Sequence, residues 1–329
     1  MGATYSLLFP PRADFTEKQL EPQHDRVFIV TGGYSGAGYE LSRILYEAGG
    51  TVYVAGRSEE KAHAAIAQIK DLKSHRYTEP GKLIFLKVQL DDLKTIRSTV
   101  DEFMKLESRL DVLFNNAGVS HPPAEWRSAQ GYELQMATNC LGPYLLTKLL
   151  MPVLRRTAEL EGVSPASVRV VFTSSITTDL SAPKGGMAIK DLDDPATPQV
   201  DMYTHSKTGN WFLANAFHSS IKSSGVLCVA QNPGNLRSNL LRHFNRPFVY
   251  FLSKAMLYDS VQGAYTELFA GLSGELGMED GGCHVLPFGR RHPAPREDLL
   301  LAMKGREEEG TGVAKDFEEW CDRKTKDFV

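Results

Sequence analysis

The chain has 329 residues, 42% hydrophobic and 23% charged, and its 37 basic and 40 acidic side chains leave a formal charge of −3. That balance belongs to a globular protein and excludes the basic surface that nucleic-acid partners need. No run of about 18 apolar residues offers a membrane-spanning helix, and no basic region with an apolar core marks a signal peptide, so a cytoplasmic protein is expected.

Residues 1–25 carry Pro10, Pro11 and Pro22 and no strong period, and read as an N-terminal arm. Gly2 followed by Ser6 fits the short myristoylation pattern. One acyl chain would bind a membrane only reversibly, so no stable insertion is expected. A regular pattern begins at 27–31, an apolar, β-branched run that ends at glycines and predicts a buried strand. A helix follows over 38–48 and stops at Gly49 and Gly50. A strand over 51–55 leads to a helix capped by Ser58. Strands at 83–86 and 112–114 flank a helix over 93–107, and strands at 168–172, 226–230 and 283–286 complete the series. Long helices fill 129–157 and 202–223, and 180–201, rich in proline and glycine, reads as a loop. Apolar strands alternating with helices predict one α/β domain over 26–290, a doubly wound parallel sheet in three α/β/α layers of Rossmann-like type. The aromatic stretch 235–259 is either core or a lid over an apolar ligand, and 291–329 is a C-terminal extension with a helix.

Cys140, Cys228, Cys283 and Cys321 show neither a close pair nor a metal spacing, and read as buried apolar residues in a reducing compartment with no metal bound. The chemistry concentrates instead at the strand ends. Gly32, Gly36 and Gly38 stand between the first strand and first helix with Tyr34, Ser35 and Ala37. Such a loop turns sharply, lets backbone approach a pyrophosphate and presents a helix N-terminus to it. Arg57 ends the second strand where an acid would hold the ribose diol of NAD(H). A guanidinium there suits a 2′-phosphate, which favours NADP(H), although Glu59 and Glu60 stand close by. Asn116, Ala117 and Gly118 follow the fourth strand as a small-residue wall for a nucleotide, a run that equally suits a turn.

Tyr203 and Lys207 are four residues apart and share a helix face. An ammonium beside a phenol of pKa about 10 would lower that value and make the phenol a general acid/base. Ser174 and Ser175, at a strand end, offer hydroxyls to a substrate carbonyl. Asn139 lies inside a helix that asparagine disfavours, so its amide has a specific task.

In this order the motifs resemble the short-chain dehydrogenase/reductase family: TGGYSGAG, NNAG, YTHSK and the Asn232-Pro233-Gly234 run. Ala55-Gly56-Arg57, Gln89-Leu90-Asp91 and Asn139-Cys140-Leu141-Gly142-Pro143 further resemble retinol-dehydrogenase-like members and reductases of fungal secondary metabolism. The resemblance implies that Tyr203 moves the proton, Lys207 lowers its pKa and holds the nicotinamide ribose, and Ser175 polarises the substrate oxygen. It implies that Asn139 holds a relay water, that Asp91 contacts the adenine and Asn116 the adenosine ribose. Pro233, Gly234, Leu236 and Ser238 would face the nicotinamide side. No basic residue stands just before Gly36, so NADP(H) preference rests on Arg57. The expected function is reversible hydride transfer between NADP(H) and a small lipophilic ketone or alcohol, by a monomer or homodimer. The competing readings keep the fold but substitute dehydration, isomerisation or cyclisation, or a sensor that binds NADP(H) without catalysis.

Overall fold

The computed structural model describes residues 2–72, 79–237 and 257–329. One sheet orders its strands β3-β2-β1-β4-β5-β6-β7-β8. These are β1 (Val27–Thr31), β2 (Thr51–Gly56), β3 (Lys82–Lys87), β4 (Val112–Asn115), β5 (Val168–Thr173), β6 (Val226–Gln231), β7 (His284–Leu286) and β8 (Arg290–Arg291). All neighbours pair in parallel except β7 and β8. The two-residue antiparallel edge strand was not expected from the sequence.

Strand burial explains why the apolar runs were legible. Ile29, Tyr53, Leu113 and Val170 point into one hydrophobic layer, while Phe28, Val52, Val112 and Val171 point into the other. Both faces of β1, β2, β4, β5 and β6 are covered, which favours apolar residues along them, whereas β3 keeps Lys82 and Lys87 exposed at its ends. The strand order reverses between β1 and β4, which opens a crevice at the carboxyl ends of the strands.

The helices are α1 (Gly2–Leu8), α2 (Gly36–Glu47), α3 (Glu59–Lys70), α4 (Lys94–Leu106), α5 (Leu134–Met136), α6 (Gly142–Ala158), α7 (Thr177–Leu180), α8 (Gln199–Ile221), α9 (Ser260–Leu272), α10 (Glu297–Met303) and α11 (Val313–Thr325). Ser58 caps α3 by accepting from the Lys61 N–H at 3.4 Å. The helix expected over 129–157 starts instead at Leu134 and passes through a π-helical turn, Ala137–Leu141, that contains Asn139. The N-terminal arm carries a helix, and Arg290 donates to the Ser6 carbonyl at 3.0 Å to fasten it. The C-terminal extension forms two helices. Its α11 seats Phe317 so close to Gly209 that a β-carbon there would meet the ring at 2.6 Å. Sandwiched between sheet and α11, α8 is buried almost all round, as a helix without a solvent face must be.

Of the four cysteines, Cys140, Cys228 and Cys321 are buried as expected, whereas Cys283 is half-buried. Among the described residues no helix is long and apolar enough to cross a membrane.

Candidate active site

A cleft of about 1100 Å³ runs along the carboxyl ends of the strands. At its phosphate end, Gly32 and Gly36 take φ of +68° and +57°, values that favour glycine. A β-carbon at Gly38 would stand 2.5 Å from the Asn116 amide nitrogen and 2.6 Å from the Gly32 carbonyl oxygen, so the close approach of helix to loop requires glycine there. No side chain caps the first turn of α2, which leaves backbone donors for an anion. This cradle has the shape and donors that a pyrophosphate needs. Tyr34, Ser35 and Ala37 line it with Gly32 and Gly36, while Gly38 lies beneath.

Asn116 uses its amide nitrogen to donate to the Thr31 carbonyl at 2.8 Å, and the Ala117 N–H donates to Thr31 Oγ1 at 3.0 Å. The wall of Asn116, Ala117 and Gly118 is thereby fastened to the end of β1, and all three line the cleft. Farther along, Arg57 and Asp91 approach each other at 3.8 Å, with the guanidinium 64% exposed and so open to a ligand. Lys61 lines the same end of the cleft and was not singled out by sequence. Its signal was available: it is the first cation inside the helix that Arg57 precedes.

The other end holds Tyr203, Lys207 and Ser175, the groups the sequence singled out for proton transfer. Helix α8 places Tyr203 and Lys207 one turn apart, both lining the cleft and both buried. Lys207 Nζ donates to the Thr173 carbonyl at 3.0 Å and lies 5.8 Å from the Tyr203 ring centroid. Burial pushes the Tyr203 phenol up to about 12, opposed by a hydrogen bond from Ser175. The expected lowering by Lys207 is therefore not seen. The physical reason is that the ammonium is aimed at Thr173, while burial disfavours phenolate. Lys207 itself is pushed down to about 8, again by burial, with Cys140 and Glu267 opposing.

The two serines have different surroundings. Ser174 donates to the Lys207 carbonyl at 2.9 Å and meets Thr178 at 3.0 Å, so it joins β5 to α8. Ser175 reaches Tyr203 and lines the cleft. Asn139 does not offer a spare amide. Its Oδ1 accepts the Val119 N–H at 2.8 Å, and its Nδ2 donates to the Val119 carbonyl at 3.0 Å and to Ser206 Oγ at 2.9 Å. Pro233, Gly234 and Leu236 close the wall opposite, whereas Ser238 and most of the 235–259 segment lie outside the described residues. The ends of that segment meet: the Arg237 N–H donates to the Tyr258 carbonyl at 2.8 Å, and the Tyr258 N–H to the Asn235 carbonyl at 2.7 Å.

His121 is a site residue that sequence reasoning missed. Its φ is +48°, a left-handed conformation that histidine tolerates better than most side chains. Its ring packs 5.4 Å from that of Tyr203, and Ser120 Oγ lies 2.7 Å from its Nδ1. Position just past the NNAG run was the available signal.

A second polar cluster lies behind the Ser175 loop, where ligand-type atoms of Asp179, His284 and His292 gather within 4.8 Å. The Ala294 N–H donates to His292 Nδ1 at 3.2 Å, which puts that ring's proton on Nε2, 3.0 Å from Asp179 Oδ1. The group thus forms a hydrogen-bonded tether from α7 to the β7–β8 hairpin, with the Nε2 lone pair unavailable to a metal.

The family model described as short chain dehydrogenase matches residues 26–187. The chain is 40% identical over 335 residues to the short-chain dehydrogenase/reductase iacJ of Pestalotiopsis fici, covering 100% of both chains. A short-chain dehydrogenase/reductase of Phomopsis amygdali is 43% identical, over 99% of this chain and 97% of that one. Among solved structures, the Pseudomonas aeruginosa RhlG/NADP active-site complex superposes with a TM-score of 0.63 at 23% identity, covering 82% of this chain and 98% of that chain. The Brucella melitensis 3-ketoacyl-(acyl-carrier-protein) reductase complexed with NADH gives a TM-score of 0.59 at 19% identity, covering 78% and 95%. The likeness to both structures is one of fold.

Proposed function

The chain belongs to the short-chain dehydrogenase/reductase family, and from that premise we propose that it is an NADP(H)-dependent oxidoreductase that reduces a lipophilic ketone or oxidises the matching secondary alcohol. The observation that carries this reading is the meeting of Tyr203, Ser175 and Lys207 at one end of a cleft whose other end is a pyrophosphate cradle. The chemistry that NADPH supplies when bound is hydride transfer to a carbonyl carbon.

The chain's own residues do the rest. Tyr203 keeps its proton in the folded protein, since burial holds the phenol near 12. It is therefore set to donate to a carbonyl oxygen as charge develops there. Ser175, bonded to the same phenol, holds that oxygen in register. Lys207 is anchored by the Thr173 carbonyl at 3.0 Å and would support the nicotinamide ribose. Asn139 has its side chain committed to Val119 and Ser206, so a relay water for Lys207 would be held through its main-chain carbonyl.

Arg57 and Lys61 both stand at the adenosine end, which supports NADP(H) over NAD(H). Asp91 would steady Arg57 and meet the adenine. At the substrate end, Pro122, Trp126, Leu134, Val200 and Leu257 give the cleft an apolar lining, and this supports a lipophilic substrate. Cofactor oxidation against a panel of aromatic and polyketide-like ketones, repeated with Tyr203→Phe, tests the reading.

A further inference from the structure

Behind Lys207 the core contains an acid that the proposed reaction does not use. Glu267, in the middle of α9, is fully buried. Thr173 Oγ1 donates to its Oε1 at 3.0 Å, and Gln231 Nε2 donates to the same oxygen at 2.8 Å. Gln231 Nε2 also lies 2.9 Å from Thr173 Oγ1, closing a triangle of side chains from β5, β6 and α9. Glu267 Oε2 has no hydrogen-bond partner among the described residues.

Thr173 is the common member of two networks. Its hydroxyl serves Glu267, while its carbonyl accepts Lys207 Nζ at 3.0 Å and Asn210 Nδ2 at 2.8 Å. One residue at the tip of β5 thus separates a buried carboxyl from a buried ammonium. A carboxyl without a matching cation is costly in such a place, and leucine or glutamine would fill the space without that cost.

We propose that Glu267 is a positioning residue for the active site: it orders the Thr173 carbonyl that receives Lys207 and acts as the buried counter-charge that sets how tightly Lys207 holds its proton. The inference rests on the reading of Lys207 as part of the site. Among the described residues, the other titratable groups facing Lys207 are the Tyr203 phenol on its own helix and the Cys140 thiol of the π-helical turn. Burial pushes that thiol well above its ordinary range, so it stays neutral and leaves Glu267 as the acid able to carry the opposing charge. Burial likewise pushes the Glu267 carboxyl up to about 8, with the Thr173 hydrogen bond and Lys207 drawing it back. The two groups therefore titrate in the same range, and Glu267 opposes the Lys207 charge as it ionises there.

The test reads the proton on Lys207 directly. Full-length protein labelled with carbon-13 at lysine Cε is titrated by NMR, with Lys207→Met identifying the resonance. In Glu267→Gln, which keeps the oxygen acceptor and removes the charge, Lys207 is expected to lose its proton about one unit lower than in the unaltered protein. Thr173→Val keeps the carboxyl but removes its hydroxyl donor, and shifts Lys207 the same way by less; it serves if Glu267→Gln does not fold. An unmoved Lys207 titration in a folded variant overturns the proposal. A shifted titration in a protein that turns over no ketone would contradict the catalytic reading and leave the buried coupling standing.

Discussion

The Lys207 ammonium lies 5.8 Å from the Tyr203 ring centroid while donating at 3.0 Å to the Thr173 carbonyl. That geometry separates anchoring from activation. Lys207 is held by strand β5, and burial raises the Tyr203 phenol to about 12; as the proposed acid it would give up that proton when charge develops on a substrate oxygen.

Tyr203→Phe removes the donor and keeps the ring that packs on His121. Turnover should fall by about a hundredfold or more, the usual contribution of a general acid. NADPH binding, followed by cofactor fluorescence, should be retained. Turnover at the unaltered rate would remove Tyr203 from the chemistry.

Arg57→Ala tests cofactor choice. A charge-assisted bond to a 2′-phosphate is worth about 1.5–3 kcal/mol, so NADPH should bind at least about tenfold more weakly. NADH affinity should change little. Equal effects on both cofactors, measured by calorimetry, would mean that Arg57 does not read the 2′-phosphate.

Gly38→Ala tests the cradle. The added methyl would press on the Asn116 amide at 2.5 Å and the Gly32 carbonyl at 2.6 Å, both of them part of the phosphate end. A loss of about 1–3 kcal/mol in thermal or chemical unfolding is expected from the overpacking, together with weaker binding of either cofactor. Unchanged stability and affinity would show that the helix has room to withdraw.

His284 predicts an acid-side stability change. Burial pushes its imidazole from 6.5 down to about 4, so the folded protein holds it neutral, stacked on Trp211 at 4.7 Å. The unfolded chain binds the proton first as pH falls, so this contribution is complete above 6.5 and is lost by about 4. The full change is about 3 kcal/mol. His284→Phe, which keeps a ring against Trp211, should lose less melting temperature between those pH values than the unaltered protein. Parallel curves would contradict the assignment.

Much of the fold was legible because parallel strands covered on both faces are apolar along most of their length, as over 27–30 and 226–230. The glycine loop was legible for a related reason, since φ values of +68° and +57° at Gly32 and Gly36 call for glycine. The π-helical turn at Ala137–Leu141 was not, because its hydrogen-bond shift leaves no mark in residue type. The start of α5 at Leu134 was lost with it. Pro10 and Pro11 suggested an irregular arm and concealed the helix before them. His121, Glu267 and the Asp179 tether depend on which distant segments meet, and spacing along the chain carries no record of that. Asn139 was found for its poor fit to a helix, but its amide proved to be bound to Val119 and Ser206.

The proposed reaction is hydride transfer with Tyr203 as proton donor. Its most direct test offers purified protein a lipophilic ketone with NADPH deuterated at the transferable hydrogen, and examines the product by mass spectrometry. One deuterium is expected on the new carbinol carbon, matched by cofactor oxidation and absent in Tyr203→Phe. A product that forms without deuterium while the cofactor stays reduced would contradict it.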